Sequence, residues 1–221
     1  MRKVFEIGGI VAAAVLVAFG VAAIVMSING RSTVGSNLKE QQIVGSPDMT
    51  PAGIRVEAQK AGLKNVSIPT CSVANKPVKD GATARCFAQY MQIHALEATG
   101  GFFYSQMGQY TAKAGTPKSE LAPGGGTSNP QYAETDPQTK QPVSNGARNV
   151  WVTETALTTA LNTSYMASQL ALFGLVVGIA LLLAGIGFGV LSIGGSLRNP
   201  ETLFKFARSE KTGGAKPVAT A

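Results

Sequence analysis

Two long stretches of the chain are apolar and free of charged residues, and a polar region rich in glycine and proline separates them. The stretches are 7–28 and 169–197. Each exceeds the roughly 20 residues that a helix needs to cross a hydrocarbon core about 30 Å thick. The pattern predicts two transmembrane helices with a domain, 29–168, between them. A short head, 1–6, and a basic tail, 198–221, complete the predicted organisation.

The first stretch raises two alternatives, a cleaved signal peptide or a membrane anchor, because Arg2 and Lys3 precede it. Signal-peptide apolar regions run about 7 to 15 residues, which is shorter than this stretch. The exit at Ser27 to Asn29 also lacks a small-x-small cleavage pattern. We therefore expect the stretch to be retained as an anchor.

The basic residues predict how the two helices are oriented. The tail carries five cations against two glutamates, and these cations are Arg198, Lys205, Arg208, Lys211 and Lys216. Because cytoplasmic flanks of membrane helices are enriched in Lys and Arg, both termini are expected in the cytoplasm and 29–168 on the outer face of the plasma membrane. The cations serve topology and anionic lipid, so the net charge of +7 requires no nucleic-acid partner.

Glycines in the second stretch recur on one helical stripe. They are Gly174, Gly178, Gly185 and Gly189. Small residues let membrane helices approach closely, so the stripe is predicted to pack against the first span or another subunit. The first span offers small residues of its own, which are Gly8, Gly9, Ala12, Ala13, Ala14, Ala18 and Ala22. The alternative is that the glycines are ordinary apolar filler, since such patterns are frequent in spans of this composition.

Capping residues predict two helices in the central region. Thr50 precedes a helix over 51–61 that starts with proline, and Asp80 precedes a longer helix over 81–99 that ends at a glycine pair. From Asn149 the apolar spacing is again helical and is expected to continue into the second span. The long segment 115–147, dominated by proline, glycine, serine, threonine and asparagine, is predicted to be a flexible loop.

The only two cysteines are Cys71 and Cys86, and they are predicted to form a disulfide. An extracytoplasmic compartment is oxidising, and closing a loop of this size contributes about 3 kcal/mol in the chain-entropy model. The fold class predicted from all these features is mainly α: a two-span transmembrane hairpin with a small disulfide-bridged helical extracytoplasmic domain and a long flexible loop.

The chain contains few residues that are suited to catalysis. The single histidine, His94, falls on the apolar face of the predicted helix 81–99, and the acidic residues are scattered. A structural zinc site needs about four Cys or His ligands. We therefore predict no catalytic residue, no metal site and no cofactor. The aromatic residues of 87–110 fit either a compact core or an exposed docking surface.

Four stretches of the chain carry a resemblance to a known group of proteins. They are MRKVFEIGGIVAAAVLVAFGVAAIVM, PTCSVANK, ARCFAQYMQIHALEATGG and NGARNVWVTETALTTALNTSYMA. These stretches resemble a family of uncharacterised actinobacterial two-span membrane proteins, to which the automated name aromatic ring-opening dioxygenase is sometimes attached. That name implies a non-haem iron held by two histidines and a carboxylate, whereas this chain has His94 alone.

The leading functional hypothesis from the sequence is a noncatalytic integral membrane protein that acts as a scaffold, accessory subunit or envelope interaction module. Its expected partners are the lipid bilayer and other membrane or envelope proteins, or further copies of itself. The alternative is an enzyme, or an enzyme subunit, of the aromatic ring-opening dioxygenase class, as the resemblance implies.

Overall fold

The fold is mainly helical, as predicted. The computed structural model describes residues 2–194, apart from the side chains of Arg2 and Lys3, so the predicted tail 198–221 and the end of the second span lie outside the described residues. The four α-helices are α1 (Arg2–Glu40), α2 (Pro51–Lys60), α3 (Gly81–Ala98) and α4 (Gly146–Ile193). Three short 3-10 helices occur at Tyr104–Gln106, Lys118–Glu120 and Pro130–Tyr132, and no β-strand forms within the described range.

The helices α2 and α3 start where their capping residues predict. The Thr50 hydroxyl oxygen accepts a hydrogen bond of 2.9 Å from the Gly53 amide. The Asp80 carboxylate accepts one of 2.8 Å from the Thr83 amide, and the Thr83 hydroxyl accepts from the Asp80 amide in return. Each contact satisfies an amide that the first helical turn leaves unpaired.

The helix α1 is longer than the membrane-spanning stretch that the sequence predicts. It continues past residue 28 to Glu40 and is followed by Gln42 in the left-handed conformation. No proline interrupts 29–40, and this part of the helix carries two apolar residues that reach a core, Val34 and Leu38. Burial of Leu38 and partial burial of Val34 stabilise this extension.

The chain folds into two compact units, and α1 and α4 contribute residues to both. One unit combines the described residues up to Gly30 with those from Leu170 onward, and the other is Arg31–Gln169. We call the described part of the first, 2–30 and 170–194, the two-helix unit. The second is called the central domain.

The two-helix unit exposes most of its apolar side chains. Both helices that enter it are long and apolar enough to cross a membrane, and only 11% of the most apolar window of each is buried. Phe5, Phe19, Phe173 and Leu183 are each more than 60% exposed. Water solvates such a surface poorly, so its chemistry is that of a surface facing lipid or protein.

The central domain is built around α3. Tyr90 and Ile54 are fully buried, and the core around them draws on the end of α1, on α2, on α3 and on Leu161 of α4. A second cluster surrounds Trp151, whose indole N–H donates to the Phe102 carbonyl at 2.9 Å. The helix α3 therefore contributes to both apolar clusters.

In the segment that follows α3, backbone hydrogen bonds join parts of the chain that are distant in sequence, without forming a long helix or a strand. Tyr110 and Thr127 exchange two backbone hydrogen bonds of 2.9 Å, and the Glu134 amide donates to the Thr111 carbonyl at 2.8 Å. Thr127 is fully buried, and the Asn145 side-chain amide donates to the Gly108 carbonyl at 3.0 Å. The flexibility of 115–147 stays a prediction.

Candidate functional site

The predicted glycine stripe of α4 lies against α1 within the two-helix unit. A Cβ added at Gly178 would lie 2.8 Å from the Ile24 side chain and 2.9 Å from the Gly20 carbonyl oxygen. One added at Gly185 would lie 2.9 Å from the Val17 amide nitrogen. Real Cβ atoms do not approach other atoms so closely, so neither position accommodates a larger residue without movement of the backbone.

The outer two glycines of the stripe differ, since Gly174 meets a side chain closely and Gly189 has ordinary space. A Cβ at Gly174 would meet the Ser27 hydroxyl at 2.6 Å, while one at Gly189 would meet the Ala13 Cβ at an ordinary 3.7 Å. As residue numbers rise along α1 they fall along α4, so the two helices are antiparallel.

Buried positions in this contact recur every seven residues on both helices. On α1 they are Ala13, Gly20 and Ser27, and on α4 they are Gly178, Gly185 and Ser192. A seven-residue repeat is the geometry of left-handed helix pairs. Each buried serine donates its hydroxyl to the carbonyl four residues earlier, Ser27 at 2.7 Å and Ser192 at 2.8 Å, so neither is left unsatisfied.

The predicted disulfide joins Cys71 to Cys86, with a Cα to Cα distance of 6.1 Å. It fastens the segment after α2 to the first turns of α3. The Tyr90 hydroxyl, one turn further along α3, donates to the Cys71 carbonyl. Burial raises the pKa of Tyr90, and the nearby Asp48 carboxylate raises it further. The hydroxyl therefore keeps its proton, and with it this hydrogen bond, across the ordinary pH range.

The aromatic residues of 87–110 divide between the two roles that the sequence leaves open. Phe87 and Tyr90 are buried core residues, whereas Phe103 and Tyr104 are 46% and 44% exposed. The Arg148 guanidinium lies 3.8 Å from the Tyr104 ring centre. This cluster is therefore partly core and partly surface.

The structure brings together titratable residues that the sequence did not connect. His94 Nε2 lies 3.1 Å from Asp48 Oδ2, and His94 Nδ1 lies 3.6 Å from Glu97 Oε2. The two closest atoms, Nε2 and Oδ2, are shielded from solvent, but they are not aligned as a hydrogen bond. His94 lies at the rim of the core, with its side chain 28% exposed, rather than within the apolar face that the helical pattern indicates.

An apolar cavity of about 490 Å³ adjoins this histidine between α3 and α4. Its walls include Met91, Val150 and Glu154, and the Glu154 carboxylate accepts a hydrogen bond of 2.8 Å from the Thr158 hydroxyl. Across 2–194 no group of three His, Cys, Asp or Glu side chains is arranged to hold a metal ion. What the described side chains offer here is a histidine between two carboxylates, Asp48 and Glu97, at the edge of a cavity.

The sequence indicates only one of the two contacts of His94, the one with Glu97. His94 and Glu97 are three apart on α3, a spacing that places two side chains together on a helix. Asp48 lies in the turn before α2, and nothing in its local sequence indicates a contact 46 residues away.

Comparison of the chain with known protein families, with curated proteins and with solved structures finds no match.

Proposed function

We propose that the protein is a noncatalytic integral membrane protein of the plasma membrane. In this proposal two antiparallel spans carry the disulfide-bonded central domain on the outer face, where it acts as a scaffold, accessory subunit or envelope interaction module. Both termini are cytoplasmic.

The observation that carries the proposal is the uncovered apolar surface of the two-helix unit. The core helix of a soluble protein buries its apolar stripe, whereas only 11% of the most apolar window of either helix is buried here. The two helices also contact each other through glycines and serines, the residues that are enriched where membrane helices pack. Lipid is the solvent that suits the remaining surface.

Charge and redox chemistry support the orientation. The cations that flank the apolar stretches are concentrated at the two ends of the chain, which favours a cytoplasmic location for both ends. The central domain contains the disulfide, and disulfides persist outside the reducing cytoplasm.

The surface of the central domain supports an interaction role. Phe103 and Tyr104 expose nearly half of their area beside Arg148. Aromatic residues and arginine are the residue types most enriched in the energetically important parts of protein interfaces. A partner protein of the envelope would bury these rings.

Cysteine labelling in intact cells tests the topology. Ser128 is exposed in the central domain, so Ser128→Cys should react with a membrane-impermeant maleimide before lysis. The matched variant Thr212→Cys, in the basic tail, should react only after lysis. Labelling of Ser128→Cys only after lysis, or an N-terminus that begins after residue 28 in the mature protein, would contradict the two-span hairpin.

Metal analysis and turnover test the noncatalytic part of the proposal. The purified full-length protein should contain no stoichiometric iron and should not consume a catechol. Stoichiometric iron with turnover that disappears in His94→Gln would favour the dioxygenase alternative instead.

In-membrane crosslinking tests the interaction role. A photo-crosslinking residue at Tyr104 should capture a defined envelope protein that the same residue at Ser128 does not capture. Identical adducts at the two positions would contradict a docking role for the exposed rings.

A further inference from the structure

Glu154 is a buried carboxylate on the otherwise apolar face of α4. It is 6% exposed, and no other Asp, Glu, Lys or Arg whose side chain the structure describes is buried. Its neighbours one turn away on the same face, Val150 and Leu157, pack against the two apolar clusters of the central domain. Glutamate is almost never buried unless a partner compensates its charge. The burial of Glu154 therefore requires a physical reason.

The described residues give Glu154 hydrogen bonds but no counter-ion. Its carboxylate accepts from the Thr158 hydroxyl at 2.8 Å and from the Thr155 hydroxyl at 3.4 Å. No Lys, Arg or His nitrogen in the described part of the chain lies within 4.0 Å of it. The one arginine of each neighbouring helix, Arg85 of α3 and Arg148 of α4, lies against an aromatic ring instead.

Glu154 lines the apolar cavity of about 490 Å³ between α3 and α4. Most of the wall is apolar, with Met91 and Ala95 contributed by α3 and Val150 by α4. The volume falls within the roughly 300–1,000 Å³ of small-molecule sites, which combine apolar walls with a few polar groups that orient the ligand. The cavity thus pairs an apolar surface with one buried carboxylate.

The histidine in the lining does not balance this carboxylate. His94 lies between Asp48 and Glu97, at 3.1 and 3.6 Å from their oxygens. Its two nitrogens therefore face carboxylates other than Glu154. Three acidic side chains and one imidazole surround this side of the cavity, and an excess of negative charge at a concave site attracts cations.

We propose that the cavity binds a small apolar amine, that is, a protonated amino group carried on an apolar body. The ammonium group donates to the Glu154 carboxylate and supplies the missing counter-ion, while the apolar body packs against Met91 and Val150. A carboxylate accepts several hydrogen bonds, so Glu154 keeps the one from Thr158. The site lies within the central domain, and binding depends neither on the membrane topology nor on the interaction role proposed above.

The methyl resonances of the methionines test both the binding and its location. The chain has six methionines, and of these only Met91 lines the cavity. The full-length protein, labelled with methyl-¹³C methionine in phosphatidylcholine nanodiscs, is titrated with 1-naphthylmethylamine, which is protonated at neutral pH. The ring current of the naphthyl group should shift the Met91 resonance saturably. Met166, which is exposed and outside the lining, is the internal reference for amine that dissolves in the nanodisc.

A neutral ligand of the same shape and two glutamate variants isolate the role of charge. In the wild type, 1-naphthylmethanol should bind about tenfold more weakly than the amine or worse, as expected for the loss of a hydrogen bond between charged groups. Glu154→Gln preserves the size of the side chain and an acceptor for Thr158. It should weaken the binding of the amine by about tenfold and leave that of the alcohol within about twofold. Glu134→Gln removes an exposed carboxylate outside the lining and should leave the affinity for the amine within about twofold.

Three results would overturn the proposal. They are a Met91 resonance that does not shift saturably, equal affinities of the wild type for the amine and the alcohol, and an unchanged affinity of Glu154→Gln for the amine. An intact Cys71–Cys86 bridge and an unchanged Trp151 emission maximum show that Glu154→Gln keeps the fold. If that variant loses the fold, the comparison of amine with alcohol in the wild type decides the question by itself.

Discussion

Gly20 and Gly178 face each other so closely that a Cβ on either would lie 2.9 Å from the carbonyl oxygen of the other. The contact is reciprocal and involves backbone on both sides. In the membrane setting proposed above, apolar burial gives little drive for helix association, so close packing of this kind would have to supply it. The two-helix unit therefore depends on having no side chain at these two positions.

Replacing Gly178 by leucine should separate α1 from α4. Overpacking a tight contact costs about 1–3 kcal/mol, which lowers the population of the close pair by about 5- to 150-fold. A disulfide reporter measures it: Ala13→Cys with Gly189→Cys places two Cβ atoms about 3.7 Å apart, within the range for a disulfide. The crosslinking yield should fall sharply when Gly178→Leu is added.

Gly187→Leu is the matched control for this experiment. A Cβ at Gly187 meets nothing within 4 Å, so the same change in size and hydrophobicity should leave the yield unchanged. Both variants preserve an apolar span, so membrane insertion should survive in each. Equal crosslinking yields for Gly178→Leu and Gly187→Leu would mean that the glycine stripe has no role in packing α1 against α4.

Helix positions in this protein follow from local sequence, which is why they could be predicted. Thr50 and Asp80 cap α2 and α3 through contacts three residues away, and the helical spacing after Asn149 continues without a break to Ile193. The extension of α1 to Glu40 was missed because its apolar residues, Val34 and Leu38, are sparse. Their helical form depends on a core assembled from remote segments.

The face of α1 that contacts α4 could not be read from the sequence. Small residues lie all round this helix, and the structure leaves Ala14, Ala18 and Ala22 exposed while it buries Ala13 and Gly20. Which face is used depends on the register between two helices distant in sequence. Two other contacts between distant segments could not be predicted for the same reason. They are the contact of Asp48 with His94 and the backbone hydrogen bonds between Tyr110 and Thr127, and neither produces a periodic pattern in the sequence.

Loss of the Cys71–Cys86 bridge should destabilise the central domain by about 2–5 kcal/mol, because the bridge restricts the unfolded chain. Urea unfolding of the full-length protein in detergent, followed by Trp151 fluorescence, measures the change. Reduction of the wild type and the double variant Cys71→Ala with Cys86→Ala should both show it. If only the substituted protein is less stable, the lost contribution is the packing of the buried Cys86 side chain rather than the crosslink.

Gly81→Ala should weaken the contact between α3 and α4 inside the central domain. A Cβ at Gly81 would lie 2.8 Å from the Ser168 Cβ and 3.0 Å from the Tyr165 Cα, so we expect a loss of about 1–3 kcal/mol. Gly146→Ala, at the start of α4, meets nothing within 4 Å and should be neutral or slightly stabilising, because alanine favours a helix. Thermal unfolding of the two variants compares them directly, and equal stability would show that Ser168 moves aside without cost.

Tyr90→Phe should reduce the stability of the central domain at neutral pH and change how stability responds to alkali. The substitution leaves the half-buried Cys71 carbonyl without this donor, which costs about 1 kcal/mol or somewhat more. Because burial and Asp48 raise the pKa of Tyr90 above its ordinary value of 10.0, the folded state holds the phenolic proton more tightly than the unfolded state. This contribution is fully present below pH 10 and is lost as the pH rises above it toward the raised pKa.

Urea unfolding of wild type and Tyr90→Phe between pH 7 and about pH 11 isolates the effect, since every other titrating group is common to both. The wild type should be the more stable protein at pH 7, and its advantage should shrink above pH 10. An advantage that stays constant over this range would show that the Tyr90 hydroxyl has the same proton affinity in the folded and unfolded chains.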